Sequence, residues 1–584
     1  MTRRLPLLLA VLLVASACRA QRSPTSDPLR AENGMVVSAE VNASAAGVEV
    51  MRGGGNAVDA AVATGFALAV TFPVAGNIGG GGFMVIRFPD GTATTIDYRE
   101  TGPAAATRDM YIDDSTGAIR PDLSRRGHLA SGVPGAVAGM LKAHAQYGRA
   151  PLADVLAPAI RLAEGYPLSR AEAELMNAYA ERFAPYAGTV RHFTQPGGYS
   201  EGETFRQPEL AAVLRRIRDE GRDGFYTGET ADLLVAEMER GGGIITHADL
   251  AGYEAVERAP LVGEYRGHRV FSMPPPSSGG VALIQMLDAV EPFDLAALGF
   301  NSSASVHLMG EAMRRAFADR AEFLGDPDFT DLPTAELIDP AYTAARMADF
   351  DPVRASASTD LGAGQPRAES PQTTHYSVVD AEGTAVSVTT TLNGGFGSRV
   401  VVEGAGFFLN NEMDDFTSAP GQPNMFGLVQ GEANAVGPGK RMLSSMTPTI
   451  VEDPEGRLML VVGSPGGPRI ITAVYETILN IIDHGMDVQE AVAAPRVHHQ
   501  WLPDVLYAEH QGLAEDVIVA LQERGWDVDV SGGHWSRVDA IEVVYDDARA
   551  STDPSGLDAI EAGTAGRVLL GGADPRGEDA AVGY

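Results

Sequence analysis

The chain has 584 residues, of which 45% are hydrophobic and 21% are charged, an ordinary globular mixture that excludes a disordered or fibrous protein. Its formal net charge is −33, which repels phosphate backbones, so no nucleic-acid partner is expected. Cys18 is the only cysteine, which excludes intrachain disulfides, cysteine-based zinc sites and a cysteine nucleophile in the mature body.

The first 20 residues have the pattern of a secretory signal. Two arginines precede an apolar run over residues 5–17, and small residues follow. Two cleavage patterns fit: a cut before Gln21, and a lipoprotein-type cut after Ala17 that leaves Cys18 as a lipidated N-terminus. No other stretch has the roughly 18 apolar residues of a spanning helix. We therefore expect an exported protein, periplasmic or secreted, with membrane attachment only through lipidated Cys18.

The chain from residue 31 to residue 352 is predicted to be helix-rich. Asn56 is suited to cap a helix over 57–70, and strands are expected at 83–86 and 94–98 around a turn at 89–91. The glycine run 79–82 lacks the context of a nucleotide-binding loop, so close backbone packing is expected. The proline-rich stretch 273–280 is predicted to be irregular. Helical periodicity predicts helices at Ala136–Tyr147, Leu152–Ala163, Ala171–Arg182, Leu210–Glu220 and Val306–Phe323.

Residues 353–372 are small, polar and rich in proline and glycine, and they predict an exposed connector. The sequence that follows is rich in strand-forming residues. Residues 548–568 are assigned to a surface loop. The predicted elements beyond the connector are strands at Thr373–Val379, Thr384–Leu392, Leu458–Val462 and Ala540–Tyr545, and a helix over Ile471–Asp483.

Turn chemistry predicts the register of the first hairpin after the connector. A three-residue loop with Gly383 in the left-handed conformation pairs Asp380 with Thr384. Thr373 then faces Thr391, with the two hydroxyls on one face of the sheet and within hydrogen-bond reach. A two-residue loop would shift the register by one residue and place Thr391 on the opposite face.

The position of Thr373 at the end of a connector suits it to become a nucleophile when the chain is cleaved. Cleavage of the Gln372–Thr373 bond would free an α-amine with an ordinary pKa of about 7.7–8.0. That amine is able to act as general base for the hydroxyl of the same residue, so one threonine supplies both nucleophile and base. The alternative is that this threonine only begins a strand, where threonine is a favoured residue.

Long motifs in one fixed order extend this local argument over nearly all of the chain from residue 30. They are DYRE at 97–100, PPPSSGG at 274–280, TTHYS at 373–377, TLN at 391–393, NNEMDDF at 410–416, RMLSSMTPT at 441–449, GSPGG at 463–467, PRVHHQWLP at 495–503 and DPR at 574–576. Together they resemble the γ-glutamyltranspeptidase (glutathione hydrolase) family of N-terminal-nucleophile hydrolases.

The resemblance implies an α+β fold, a four-layer αββα sandwich with a helix-rich large-subunit portion. It also implies a precursor that cleaves itself between Gln372 and Thr373. The products would be a large subunit, 21–372, ending in the connector, and a small catalytic subunit, 373–584, which remain together as a heterodimer. No cofactor and no metal is implied.

The resemblance also assigns roles to site residues. Phe426 stands in a lid, where a tyrosine is common in bacterial members. The implied catalytic residues are the nucleophile Thr373, its holding partner Thr391 and the oxyanion donors Gly466 and Gly467. The implied substrate-binding residues are Arg99, Ser444 and Ser445 for the α-carboxylate, and Asn393, Glu412 and Asp415 for the α-ammonium.

The implied activity is cleavage of glutathione and other γ-glutamyl amides through a γ-glutamyl-threonine ester. Water, an amino acid or a dipeptide then accepts the glutamyl group. Two alternatives on the same fold are a glutaryl-type acylase and a poly-γ-glutamate depolymerase. A third, of another class, is a catalytically silent lipoprotein that binds γ-glutamyl peptides.

Overall fold

The computed structural model describes residues 27–361, 373–418, 422, 424–428, 430–545 and 566–584. The predicted signal segment, Gln372 and residues 548–565 lie outside this part of the chain. Among the described helices, none is long and apolar enough to cross a membrane.

Strands form two large sheets and two small ones. The strands are β1 Leu29–Ala31, β2 Met35–Ser38, β3 Gly81–Arg87, β4 Ala93–Asp97, β5 Tyr166–Pro167, β6 Thr204–Phe205, β7 Val256–Arg258, β8 Leu261–Tyr265, β9 His268–Ser272, β10 Thr374–Val379, β11 Ala385–Thr391, β12 Thr449–Glu452, β13 Leu458–Gly463, β14 Val497–His498, β15 Leu506–Ala508, β16 Val528–Asp529, β17 Asp539–Tyr545, β18 Arg567–Gly572 and β19 Ala580–Gly583.

Helices flank the large sheets. The helices are α1 Val41–Arg52, α2 Ala57–Thr71, α3 Pro121–Arg125, α4 Ala136–Tyr147, α5 Leu152–Glu164, α6 Arg170–Phe183, α7 Ala187–Phe193, α8 Pro208–Glu220, α9 Asp223–Tyr226, α10 Gly228–Gly241, α11 His247–Gly252, α12 Gly279–Val290, α13 Leu295–Leu298, α14 Ser303–Phe323, α15 Thr334–Leu337, α16 Pro340–Arg346, α17 Arg469–Ile482, α18 Val488–Ala493 and α19 Glu515–Glu523.

The two large sheets pack face to face. Sheet I has the order β19-β2-β10-β11-β3-β4-β7, and sheet II has the order β1-β18-β17-β13-β12-β9-β8. Because side chains alternate along a strand, Val37 enters the core between the sheets while its neighbour Val36 packs against α1 and α2. Val461 of sheet II likewise faces sheet I, and Val462 packs beneath α12, α14 and α17. The fold is therefore the predicted four-layer αββα sandwich.

Most predicted elements are present within one to three residues at each end. Asn56 caps α2, accepting the backbone N–H groups of Val58 and Asp59. One prediction is wrong at its end, because 279–280 are not irregular: α12 begins at Gly279, where the helix packs against the backbone of Met446 and no side chain would fit.

Two loop predictions also need correction. Residues 567–568 belong to β18 and not to a surface loop, because they pair with β17. The described start of the connector, 353–361, is not uniformly exposed. Ser358 is buried, since its N–H donates to Asp504 and its hydroxyl accepts a hydrogen bond from Arg314.

Candidate active site

The hairpin β10–β11 has the register that the turn predicts. Asp380 N donates to the carbonyl of Thr384 at 3.1 Å, and Gly383 has a φ of +92°. Thr374 pairs with Thr390, and the same register runs to the turn. Its extension by one residue sets Thr373 opposite Thr391 at the open end of the hairpin.

The glycine run 79–82 makes room for this end of the hairpin. A Cβ on Gly80 would lie 2.1 Å from the carbonyl oxygen of Thr391, and one on Gly82 would lie 2.5 Å from that of Thr389. Only glycine permits so close an approach of β3 to β11. The run therefore has the packing role that was predicted.

Thr373 is 6% exposed and lines two spaces. One is a narrow cavity with about 20 Å³ of accessible volume, and the other is an open cleft of about 860 Å³. The narrow cavity, called the polar pocket below, contains nearly all of the predicted site residues, and Gly466 lies on the adjoining cleft. The predicted residues that line the polar pocket are Arg99, Thr373, Thr391, Asn393, Glu412, Asp415, Phe426, Ser444, Ser445 and Gly467.

Arg99 is the centre of a buried charge cluster in the polar pocket. Its Nη1 lies 3.0 Å from Glu412 Oε2 and 3.6 Å from Glu100 Oε2, and its Nη2 lies 2.5 Å from Asp415 Oδ2. Burial alone would lower the pKa of Arg99, but the three carboxyl groups raise it overall. Burial raises the pKa of Glu412 and of Asp415, and it raises that of Glu100 to about 8. Arg99 is thus already paired with acids, and the role of Glu100 was not foreseen from the sequence.

Asn393 is held in a strained conformation beside the nucleophile. Its φ is +75°, and its N–H donates to Thr391 Oγ1 at 2.7 Å. The Asn393 side-chain amide donates to the carbonyl of Asn411 at 3.0 Å, which leaves its own amide oxygen for a ligand. Among the described residues, Thr391 makes no side-chain hydrogen bond to Thr373. In the structure, the Thr391 hydroxyl therefore holds the backbone of Asn393 in place.

Ser444 and Ser445 form the opposite wall of the polar pocket. Ser444 Oγ accepts the N–H of Met446 at 3.1 Å, while Ser445 Oγ accepts a hydrogen bond from Arg320 Nη2 at 3.2 Å. Arg320, which comes from α14, lies outside the sequence motifs that predicted the site. Its pattern within a buried helix gives no local signal of a pocket residue.

Gly466 and Gly467 lie between β13 and α17. Gly466 has a φ of +143° and Gly467 a φ of +58°, conformations that favour glycine. Neither backbone N–H donates a hydrogen bond to another described residue. A pair of unused N–H groups beside a threonine hydroxyl is suited to stabilise an oxyanion.

His375 is close to the nucleophile in sequence but faces away from both spaces. Its Nδ1 lies 2.9 Å from Thr389 Oγ1 and its Nε2 lies 3.1 Å from Ser377 Oγ. Burial lowers the pKa of His375 to about 3. A neutral, fully engaged imidazole is unsuited to serve as general base for Thr373.

Phe426 lines the polar pocket and is 5% exposed. Its N–H donates to Asn424 Oδ1 at 2.9 Å, and its carbonyl accepts a hydrogen bond from Gln500 at 3.3 Å. Backbone contacts therefore hold residue 426 in place, and they need no tyrosine hydroxyl.

The open cleft has charged and aromatic walls. The Arg469 guanidinium stacks 4.6 Å from the centre of the Trp535 ring, and Arg537, which lies over the Phe72 ring, also lines the cleft. Glu40 and Glu172 line the cleft as well, and burial raises the pKa of Glu172 to about 7. Among the described residues, no group of three or more histidine, cysteine, aspartate or glutamate side chains is placed to hold a metal ion.

An αββα sandwich with a threonine at a strand end, at the mouth of a charged pocket, is the arrangement of N-terminal-nucleophile hydrolases. The chain is an enzyme of that class. A family model described as gamma-glutamyltranspeptidase matches residues 43–583, and the chain belongs to that family.

Similar proteins agree with this assignment. The glutathione hydrolase proenzyme of Pseudomonas sp. (strain A14) is 50% identical over 501 residues, covering 85% of this chain and 87% of that protein. The glutathione hydrolase proenzyme of Escherichia coli (strain K12) is 46% identical over 540 residues, covering 92% and 93%. The crystal structure of cephalosporin acylase from Bacillus halodurans matches with a TM-score of 0.81 at 27% identity, covering 98% of this chain and 99% of that one.

Proposed function

We propose that the chain is a self-cleaving γ-glutamyl transferase and hydrolase acting on glutathione and related γ-glutamyl amides. The observation that carries the proposal is the place of Thr373, between a pocket of paired charges and an open cleft. A γ-glutamyl group has a carboxylate and an ammonium on one carbon. The polar pocket offers guanidinium groups to the carboxylate and carboxylates to the ammonium.

Self-cleavage would prepare the nucleophile. The Thr373 hydroxyl attacks the carbonyl of Gln372, and the peptide bond is exchanged for an ester that water opens. This leaves a free amine on Thr373, which takes the hydroxyl proton during each later attack. The small subunit would then be 373–584 and the large subunit would end at Gln372.

Turnover would follow in two steps. The Thr373 oxygen attacks the γ-carbonyl, and Gly466 and Gly467 donate hydrogen bonds to the oxyanion, each donor being worth about 3–4 kcal/mol in comparable sites. The amide C–N bond breaks, and the leaving amine takes the proton from the Thr373 amine. Water or an acceptor amine then attacks the glutamyl ester, returns a proton to Thr373 and frees the enzyme.

The cleft supports the proposal that the leaving group and the acceptor bind there. An amino acid or dipeptide carries opposite charges at its two ends. Arg469 and Arg537 suit its carboxylate, and Glu40 and Glu172 suit its ammonium. Thr373 lies where the cleft meets the polar pocket, so an acceptor amine held in the cleft is able to reach the ester.

Fragment mapping tests this function. The purified protein should contain a 212-residue fragment that begins at Thr373 and a large fragment that ends at Gln372, of 352 residues after a cut before Gln21 or 355 after a cut before Cys18. Thr373→Ala should remain uncut and inactive. Thr374→Ala, which removes a neighbouring buried hydroxyl with no hydrogen-bond partner among the described residues, should be cut. An uncut chain that still releases p-nitroaniline from γ-glutamyl-p-nitroanilide would refute the mechanism.

A glutaryl acylase is the second candidate, because one structural relative is a cephalosporin acylase. A glutaryl group lacks the α-ammonium, and Glu412 and Asp415 would then have no cation of the substrate to bind. We therefore expect kcat/KM for γ-glutamyl-p-nitroanilide to exceed that for glutaryl-p-nitroanilide. The reverse order would select the acylase.

Export is the further part of the proposal, and it rests on residues 1–20, outside the described chain. Mass spectrometry of the large subunit would separate its two forms. A diacylglyceryl group on Cys18 indicates a lipid anchor, and an unmodified N-terminus at Gln21 indicates a free protein. A large subunit that retains Met1 would refute export.

A further inference from the structure

Arg320 is a buried cation without an ion-pair partner in the described part of the chain. It lies near the end of α14 and is 2% exposed. Its Nε donates to Ser278 Oγ at 2.8 Å and its Nη2 to Ser445 Oγ at 3.2 Å, while its Nη1 has no hydrogen-bond partner within the ranges that the structure describes. Among the described residues, no carboxylate oxygen lies within 4.0 Å of its nitrogens. A buried charge without a counter-ion is costly, so its retention needs a reason.

The reason is suggested by where Arg320 lies. It lines the polar pocket together with Thr373 and Asp415. Burial lowers the pKa of Arg320 to about 10, and the nearby Asp415 opposes that change. The guanidinium is still charged at neutral pH, and it is the pocket cation whose donor is unused.

Arg99, the cation expected to bind the substrate carboxylate, is already engaged. Its Nη1 and Nη2 contact Glu412 and Asp415, and its Nε donates to the carbonyl of Met442 at 3.2 Å. A carboxylate that approached Arg99 alone would meet two acids at the same place.

Ser445 provides a further hydrogen-bond donor beside Arg320. Its oxygen accepts from Arg320, so its own O–H is left to donate. An anion next to Ser445 would receive that hydroxyl hydrogen and the free Nη1 hydrogens of Arg320 at once.

We propose that Arg320 is a second carboxylate-binding residue of the polar pocket, contacting the α-carboxylate of the glutamyl group through Nη1 beside Ser445. The inference rests on the proposed function and deepens it. The pocket then has two halves: Glu412 and Asp415 hold the ammonium, and Arg320 with Ser445 adds a second set of contacts to the carboxylate. Arg99 lies between the halves, where it neutralises the acids and makes the first carboxylate contact.

Binding of three small ligands to the processed enzyme tests the assignment. L-glutamate carries both α-groups, glutarate keeps the carboxylate without the ammonium, and 4-aminobutyrate keeps the ammonium without the carboxylate. By calorimetry, Arg320→Gln should weaken glutamate and glutarate by about 10- to 100-fold, the range for a hydrogen bond to a charged group. The affinity for 4-aminobutyrate should change less than about threefold. Arg320→Lys should retain part of the lost affinity, because it keeps the charge without the planar fork.

Arg346→Gln is the matched control. Its guanidinium reaches the same helix at Asp319, with Nη2 3.0 Å from Oδ1, but it lies outside the polar pocket. It should leave all three affinities unchanged. Equal weakening of the three ligands by Arg320→Gln, or no weakening, would overturn the assignment.

A complex of the wild-type enzyme with L-glutamate provides a test that needs no variant. Arg320 Nη1 should lie within hydrogen-bond distance of an α-carboxylate oxygen, and a carboxylate bound only by Arg99 would contradict the proposal. Failure of the proposed function would look different: the wild type would release no p-nitroaniline from γ-glutamyl-p-nitroanilide, whatever the ligand affinities.

Discussion

Arg99 Nη1 lies 3.0 Å from Glu412 Oε2, and both side chains are at most 1% exposed. Apart from this ion pair, neither carboxylate oxygen of Glu412 has a hydrogen-bond partner among the residues that the structure describes. The pair is therefore buried without the additional hydrogen bonds that repay the desolvation of a carboxylate. Burial raises the pKa of Glu412, and Arg99 offsets only part of that rise. The Glu412 carboxyl group therefore lies unsatisfied in the polar pocket, where a substrate ammonium would bind it.

Glu412→Gln should change how stability depends on pH. The raised pKa of Glu412 means that the folded protein loses stability as pH rises from 4.5, the ordinary pKa, through the raised value. Glutamine does not titrate, so the variant should be relatively more stable at pH 8 than at pH 5. Thermal unfolding midpoints at fixed protein concentration measure this difference. Glu432→Gln, which alters an exposed ion pair with Arg108, should give a nearly flat difference.

Thr391→Val should disturb Asn393. The substitution keeps the shape of the side chain but removes the oxygen that accepts the Asn393 N–H at 2.7 Å. An unpaired buried N–H costs about 1–3 kcal/mol of stability, and turnover should fall because Asn393 lines the polar pocket. Chemical denaturation and kcat/KM test the two effects. Thr391→Ser keeps the acceptor and should retain most of both; an equal loss in the serine variant would contradict this role.

Gly463→Ala should displace the glycine pair from the nucleophile. A Cβ at residue 463 would lie 2.2 Å from Cε1 of the His375 ring, which Thr389 and Ser377 hold in place. Overpacking of this kind costs about 1–3 kcal/mol. Because only Ser464 and Pro465 separate residue 463 from the glycine pair, we expect kcat to fall as well as the unfolding midpoint. Gly252→Ala, where no atom lies within 4 Å of the added Cβ, should change neither.

Phe426→Ala should open the polar pocket to water. The ring is 5% exposed and packs in the hydrophobic cluster that includes Leu428. We expect KM for γ-glutamyl-p-nitroanilide to rise roughly tenfold, since water competes for the charges that bind the glutamyl group. Phe426→Tyr should leave KM within about twofold, because backbone contacts fix the lid. A tyrosine variant with a much lower KM would show that the missing hydroxyl matters.

Local chemistry predicted the hairpin. Gly383 favours a three-residue loop, and that loop alone fixes which residues pair along β10 and β11. Helix α2 was equally predictable, because its capping residue and its apolar run are contiguous. These features depend on residues that are neighbours in the chain, and the structure shows them as predicted.

The sequence by itself also determined the residue types of the site, since the ordered motifs supplied the threonine, the glycine pair and the acids. Only the tertiary structure decided their electrostatic state. It paired Arg99 with Glu412 and Asp415, and it left Arg320 with an unused donor. The reason is physical: desolvation and charge pairing depend on what distant segments bury together, and no spacing along the chain encodes that.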